Sequence, residues 1–226
     1  MKNQQQKKLN LKQLRKMQTF DNQPNKSVGK VPWDTFISYL RFYAETYMKQ
    51  AGDTKRFVID QYNERVITNL YHWMVRDGQG EFDQNKGIFL CGKIGCGKTI
   101  LMKAFLETLM AASGFYIPFF QASLIFIHYQ NKGIDSLAKC PIFIDELGRE
   151  QLEMYINGVR VRPIEDLIAM RYEYGATTFF TSNFKIETLS QGYDENGKKQ
   201  GYGEYIGERL RERNNIVIMP GASRRF

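Results

Sequence analysis

Residues 92–99 read GKIGCGKT, a full match to the spacing G-x-x-x-x-G-K-[ST]. Gly92, Gly95 and Gly97 let the backbone curl so that its N–H groups point inward, a cradle for phosphate oxygens. Lys98 adds a positive charge suited to the β- and γ-phosphates, and the Thr99 hydroxyl suits one position on Mg²⁺. Further along, FIDELG (143–148) ends an apolar run in two acids. Asp145 can sit beside the Mg²⁺ held by Thr99. Glu146 can polarise an attacking water, a task a kinase does not need. FFTSN (179–183) places Asn183 at the tip of another apolar run, where it could orient that water. Taken alone, Ser-Asn after a strand is more often a turn or a helix cap.

The arginines of GERLRERNN (207–215) form a fourth group: Arg209, Arg211 and Arg213. Arginine's planar charge can stabilise a phosphoryl transition state, often from a neighbouring subunit. The plainer alternative is a surface helix in which Glu208 pairs with Arg211 and Arg209 with Glu212, both at i,i+3.

These groups need a scaffold that brings them together. GIFLC (87–91) is wholly apolar and suits a buried parallel strand. TILMKAFLETLMAA (99–112) follows with helical spacing of Leu101, Phe105, Leu109 and Ala112. Strand, glycine loop and helix aim a helix N-terminus at an anion. The alternation continues with strands at 117–121, 141–145, 176–183 and 216–219 and helices at 122–130 and 162–175, the latter with Pro163 in its first turn. The expected fold is α/β, a three-layer parallel sheet. Ahead of it, 33–50 has helical spacing of Trp33, Phe36, Ile37, Leu40, Tyr43 and Tyr47, and Asp60 reads as the N-cap of a helix over 61–76. The glycine-rich, charged stretch 191–203 reads as a mobile surface loop, one that could touch nucleic acid.

The chain has 226 residues and a net charge of +8. That charge sits at the ends: residues 1–30 hold eight Lys/Arg against one acid, and 209–226 hold five Arg against one Glu, so the middle is mildly acidic. Within the tail, Leu11 and Leu14 could share a thin helical stripe, though a solvated tail explains them equally well. Three cysteines without a C-x-x-C and only two histidines argue against a disulfide framework or a transition-metal site. No apolar run reaches membrane-spanning length, and the basic N-terminus lacks an apolar core for a secretory signal. A cytoplasmic protein with no membrane partner is the expectation.

Taken together, GKIGCGKT, FIDELG, TSN, GERLRER and a terminal G-x-S-R (Gly221 to Arg224) resemble AAA+ ATPases of the DnaC-type helicase-loader and IstB-type transposition-helper group. The resemblance covers roughly residues 57–226. It implies an ASCE-type sheet, ATP and Mg²⁺ as ligands, and hydrolysis at subunit interfaces of an AAA+ oligomer. It assigns the nucleotide contacts to Gly92, Lys93, Ile94, Gly95, Cys96, Gly97, Lys98, Thr99 and Ile100, with Lys98 and Thr99 as Walker A. Asp145 and Glu146 become Walker B, with Thr99 and Asp145 serving the metal. Asn183 becomes sensor I, Arg209 the trans arginine finger, and Arg224 the nucleotide-contacting arginine near the chain end. Too few residues follow Asn183 for a full helical lid, so a reduced or absent lid is expected, with an N-terminal helical extension.

The implied organisation is a basic tail and linker (1–32), a helical partner-binding segment (33–56) and an AAA+ core (57–226). The implied function is ATP-dependent loading of a replicative helicase onto single-stranded DNA, with a transposition helper as the alternative. A P-loop small-molecule kinase and a non-hydrolysing adaptor fit less well, given Glu146. For DNA, Phe126, Tyr129, Lys132 and Lys139 mix aromatic and basic character; Phe126 reads more readily as a core residue.

Overall fold

A computed structural model describes residue 28 and residues 31–224. The basic tail with its Leu11–Leu14 stripe and most of the linker lie outside the described residues. Two helices come first, α1 (Trp33–Gln50) and α2 (Glu64–Val75). Then β1 (Gly87–Gly92) leads into α3 (Lys98–Ser113), and β2 (Phe119–Gln121) into α4 (Ala122–Lys132). A 3₁₀ turn precedes β3 (Ile142–Leu147), which is followed by a small hairpin, β4 (Met154–Ile156) and β5 (Val159–Val161). The chain continues through α5 (Pro163–Glu173), β6 (Thr178–Ser182), α6 (Ile186–Leu189), α7 (Glu204–Arg213) and β7 (Asn214–Met219).

The main sheet runs β2-β3-β6-β1-β7, and each neighbouring pair is parallel. Strand β6 therefore separates the phosphate-loop strand from the acidic strand. Successive side chains of a strand face opposite ways, and the apolar runs supply both faces. Ile88, Leu90, Phe143 and Phe179 enter one core with α1, α2 and α3. Phe89, Cys91, Ile142, Ile144 and Phe180 enter a second core with α5 and α7. This gives the three layers expected from the alternation of strands and helices.

Helix α1 packs on α3, burying Phe36, Leu40 and Ala44 in the first core. Helix α2 starts at Glu64 rather than 61, and Asp60 does not cap it. Asp60 instead accepts the Tyr62 N–H at 2.9 Å and the Arg224 guanidinium at 2.7 Å. A partner remote in sequence draws the carboxylate away from the helix end.

Residues 191–203 form a closed turn, not a free loop. Tyr193 and Lys199 make an antiparallel bridge. The Asp194 carboxylate accepts the N–H groups of Asn196 and Lys198 and the Gln200 amide. Tyr202 is buried and donates its hydroxyl to Glu150. Gly201 lies so close to the Leu189 carbonyl that a Cβ there would meet it at 2.6 Å. The glycines of this stretch thus serve close packing as much as turning. The β4–β5 hairpin had no signal in the strand–helix alternation; Asn157 and Gly158 turn it at positive φ.

Among the described residues the three cysteines are free and buried, no cluster of His, Cys, Asp or Glu could hold a metal, and no helix is long and apolar enough to cross a membrane. Because α1 is part of the core, Leu40→Ala should destabilise the fold by about 2–5 kcal/mol, while Phe42→Ala, at a position 63% exposed, should stay within about 0.5 kcal/mol. Equal, small shifts in denaturant unfolding for both would contradict this packing.

Candidate active site

The glycine loop leaves β1 at Gly92 and re-enters the helical conformation at Lys98, with Gly95 at φ +85° and Gly97 at +97°. These dihedrals disfavour side-chain-bearing residues. At Gly95 there is also no room: a Cβ would sit 2.3 Å from Ser223 Oγ. The loop is clasped from the other end of the chain, because the Arg224 N–H donates to the Gly95 carbonyl at 2.9 Å.

Lys98 is almost wholly buried. Its ammonium donates to the carbonyls of Gly92 and Lys93 at 2.8 and 2.9 Å and to Asn183 Oδ1 at 2.9 Å. Three donors thus meet three oxygens, and the contact joins the phosphate loop directly to the tip of β6. Thr99 Oγ1 donates to Asp145 Oδ1 at 2.8 Å, which ties α3 to β3. Thr181 donates to the same carboxylate oxygen and accepts the Glu146 N–H at 3.0 Å. Lys103 approaches the other Asp145 oxygen at 3.9 Å. Glu146 has φ +59°, and its carboxylate pairs with Arg149 at 2.9 Å.

Most of these groups, though not Asp145 or Lys103, line a cavity of about 570 Å³ at the C-terminal ends of the central strands. Gly95, Gly97, Lys98, Thr99, Ile100, Glu146, Thr181, Asn183 and Arg224 line one side. The connector between α1 and α2, including Phe57, Val58 and Asp60, lines the other. A cleft of this size suits a small organic ligand. The inward-facing ammonium, the hydroxyl–carboxylate pair and the glycine cradle suit a Mg²⁺-bound nucleoside triphosphate.

Most of the expected site residues therefore converge. Ile94 is exposed at the cavity rim, and Cys96 is buried beneath the loop with its sulfur 3.8 Å from the Lys98 ammonium. Lys93 is exposed and contributes its carbonyl. Arg224 reaches the rim through Asp60, whose carboxyl is raised by burial but more strongly lowered by bonds from Arg224 and neighbouring backbone N–H groups. Arg209 stands elsewhere. Its guanidinium lies against the rings of Tyr205 and Tyr172, 3.3 and 4.5 Å from their centroids, and 3.7 Å from Glu173. The helical pairs expected on α7 do not form: Arg211 meets Glu204 at 2.6 Å, and Glu212 accepts the Tyr172 hydroxyl. In the region read for DNA contact, Tyr129 packs against the second core, Phe126 is half-buried and Lys139 sits 4.6 Å from the Tyr174 ring centroid.

No family model matches the sequence, and no curated protein matches it either. Solved structures do match. A protein assigned as a primosome component from Streptococcus pyogenes serotype M3 superposes with a TM-score of 0.56 at 20% identity, covering 75% of this chain and 85% of that one. DnaI gives 0.53 at 21%, covering 76% and 89%. The DnaC helicase loader gives 0.50 at 21%, covering 73% and 93%. The chain shares with these proteins a fold built on a parallel α/β sheet. The strand order places β6 between β3 and β1, so its polar tip lies between the acidic strand and the phosphate loop.

Sequence reading missed Thr181, Arg149 and Asp60 as site residues. Thr181 reads as an ordinary β-branched strand residue, and Arg149 as a loop charge. It also missed Glu150, which fixes the turn after Glu146 by accepting the Gly148 N–H at 2.9 Å and the Tyr202 hydroxyl. Burial raises both groups, and the Glu150 charge adds to the rise at Tyr202. Tyr202 is held well above its ordinary 10.0. A raised folded pKa means that its contribution is complete below pH 10.0 and is lost as pH climbs through the folded value. The unfolding midpoint of the wild type should fall more steeply above that pH than that of Tyr202→Phe; parallel curves would contradict the assignment.

Proposed function

We propose that this chain is an ATP-dependent helicase loader of DNA replication, hydrolysing ATP at the interfaces of a self-assembled AAA+ oligomer and delivering a replicative helicase to single-stranded DNA. The supporting observation is the convergence of Lys98, Thr99, Glu146, Asn183 and Arg224 around one cavity, in a fold shared with a helicase loader.

In this reading, the N–H groups of the 92–100 loop hold the phosphates, and Lys98 exchanges one of its present oxygens for a phosphate oxygen. Thr99 and Asp145 would hold Mg²⁺, which when bound would neutralise charge on the phosphate groups. Glu146, released from Arg149, accepts a proton from the attacking water. Asn183 orients that water between Glu146 and the γ-phosphate. Arg224 contacts phosphate from the same chain. Arg209, remote from its own cavity, serves the cavity of the neighbouring subunit. Water adds to the γ-phosphorus, the β–γ bridging bond breaks, and ADP and phosphate leave. The aromatic face of α1 belongs to a segment that meets the helicase, and the basic tail meets phosphates or an acidic helicase face.

The test is a set of three variants read by nucleotide binding and phosphate release. Lys98→Ala should lose ATP binding. Glu146→Gln should bind ATP without turnover. Arg209→Ala should bind normally and lose turnover by about 10³-fold or more. Wild-type turnover in Arg209→Ala would remove the finger assignment, and ATP turnover that requires a small-molecule acceptor would replace the loader reading with a kinase.

A further inference from the structure

Strand β3 does not keep register with β6 through the two acids. Ile144 pairs with Phe180 and Leu147 with Ser182, so Asp145 and Glu146 together stand opposite the single residue Thr181. A bulge of this kind leaves one residue without a regular ladder partner and re-aims its side chain. Here the re-aimed residue is Glu146, at φ +59°. Its N–H is received by Thr181 Oγ1 at 3.0 Å instead of by a strand carbonyl.

The Thr181 hydroxyl has one proton and can accept as well as donate. It accepts from the Glu146 backbone and donates to Asp145 Oδ1. Thr181 is fully buried, so water does not compete for either bond. A single hydroxyl on β6 therefore holds the backbone of one acid and the carboxylate of the other. Thr99 donates to the same Asp145 oxygen, at 2.8 Å. That leaves the second carboxylate oxygen facing Lys103 at 3.9 Å.

We propose that Thr181 is a positioning residue for hydrolysis at this cavity: its hydroxyl fixes the Asp145 carboxylate that serves Mg²⁺ and the bulged backbone from which Glu146 reaches the water. The inference rests on the ATPase reading above and extends it to a buried hydroxyl on β6. Valine matches threonine in shape and lacks the hydroxyl, and serine retains it. The two substitutions therefore separate hydrogen bonding from packing.

The experiment titrates a fluorescent ATP analogue into wild type, Thr181→Val and Thr181→Ser, first in EDTA and then across Mg²⁺ concentrations, and measures phosphate release in parallel. Binding in EDTA should be unchanged within about twofold, while Thr181→Val should need more Mg²⁺ for half-effect and lose turnover by about 10–100-fold, with Thr181→Ser restored to within about threefold. If the valine variant does not melt cooperatively, Thr181→Ala replaces it under the same criteria. The proposal is overturned if the hydroxyl-free variant keeps both the wild-type Mg²⁺ midpoint and turnover, or if Thr181→Ser is as impaired as Thr181→Val. A different failure, no ATP turnover by wild type or equal turnover by Lys98→Ala, would overturn the ATPase reading and this inference with it.

Discussion

One carboxylate oxygen organises the edge of the sheet that faces the cavity. Asp145 Oδ1 receives the hydroxyls of Thr99 and Thr181, so the first turn of α3, the end of β3 and the body of β6 meet at a single atom. Lys98 adds a second tie between loop and sheet through Asn183. Buried charged groups persist only where hydrogen bonds replace lost water, and here the replacements come from three separate elements. The strand order makes this possible. With β6 next to both β1 and β3, polar residues at its C-terminal end reach the phosphate loop on one side and the acids on the other.

The same edge is tied to distant parts of the chain. The end of β7 runs on past Gly221 to lay Ser223 and Arg224 against the glycine loop, and Arg224 crosses to Asp60 in the connector between the first two helices. On the other flank, Arg149 meets Glu146, and Glu150 anchors the 191–203 turn through Tyr202. Glu146 therefore sits between the cavity and a surface turn, with only short bonded steps in either direction. Changes at that turn have a physical route to Glu146.

Much of this was legible in the sequence because the informative signals are local. A wholly apolar run followed by a glycine loop and a helical pattern marks β1 and α3, and an apolar run ending in acid marks β3. Contacts across the chain were not legible. Asp60 has the local signature of a helix cap, and nothing nearby announces an arginine 164 residues away. Thr181 gains its role only from a bulge in the neighbouring strand, and a register shift leaves no mark on the shifted partner. The glycines of 191–203 suggested mobility, whereas Gly201 is small because the Leu189 carbonyl lies against it. The i,i+3 pairs expected on α7 gave way to Glu204, two turns back on the same helix, and to Glu173 on α5, since exposed i,i+3 pairs are weak.

In the proposed function, a complete hydrolytic site needs two copies of this chain: one supplies Lys98, Asp145 and Glu146, and the other supplies Arg209. Mixing Glu146→Gln with Arg209→Ala tests it most directly. Each protein alone lacks one half of every site. In the mixture, an Arg209→Ala subunit keeps an intact Glu146 and receives Arg209 from its Glu146→Gln neighbour. The account predicts that ATP turnover reappears on mixing, rising with total protein concentration. Turnover that stays at the sum of the two inactive proteins, under conditions where wild type assembles and hydrolyses ATP, would contradict it.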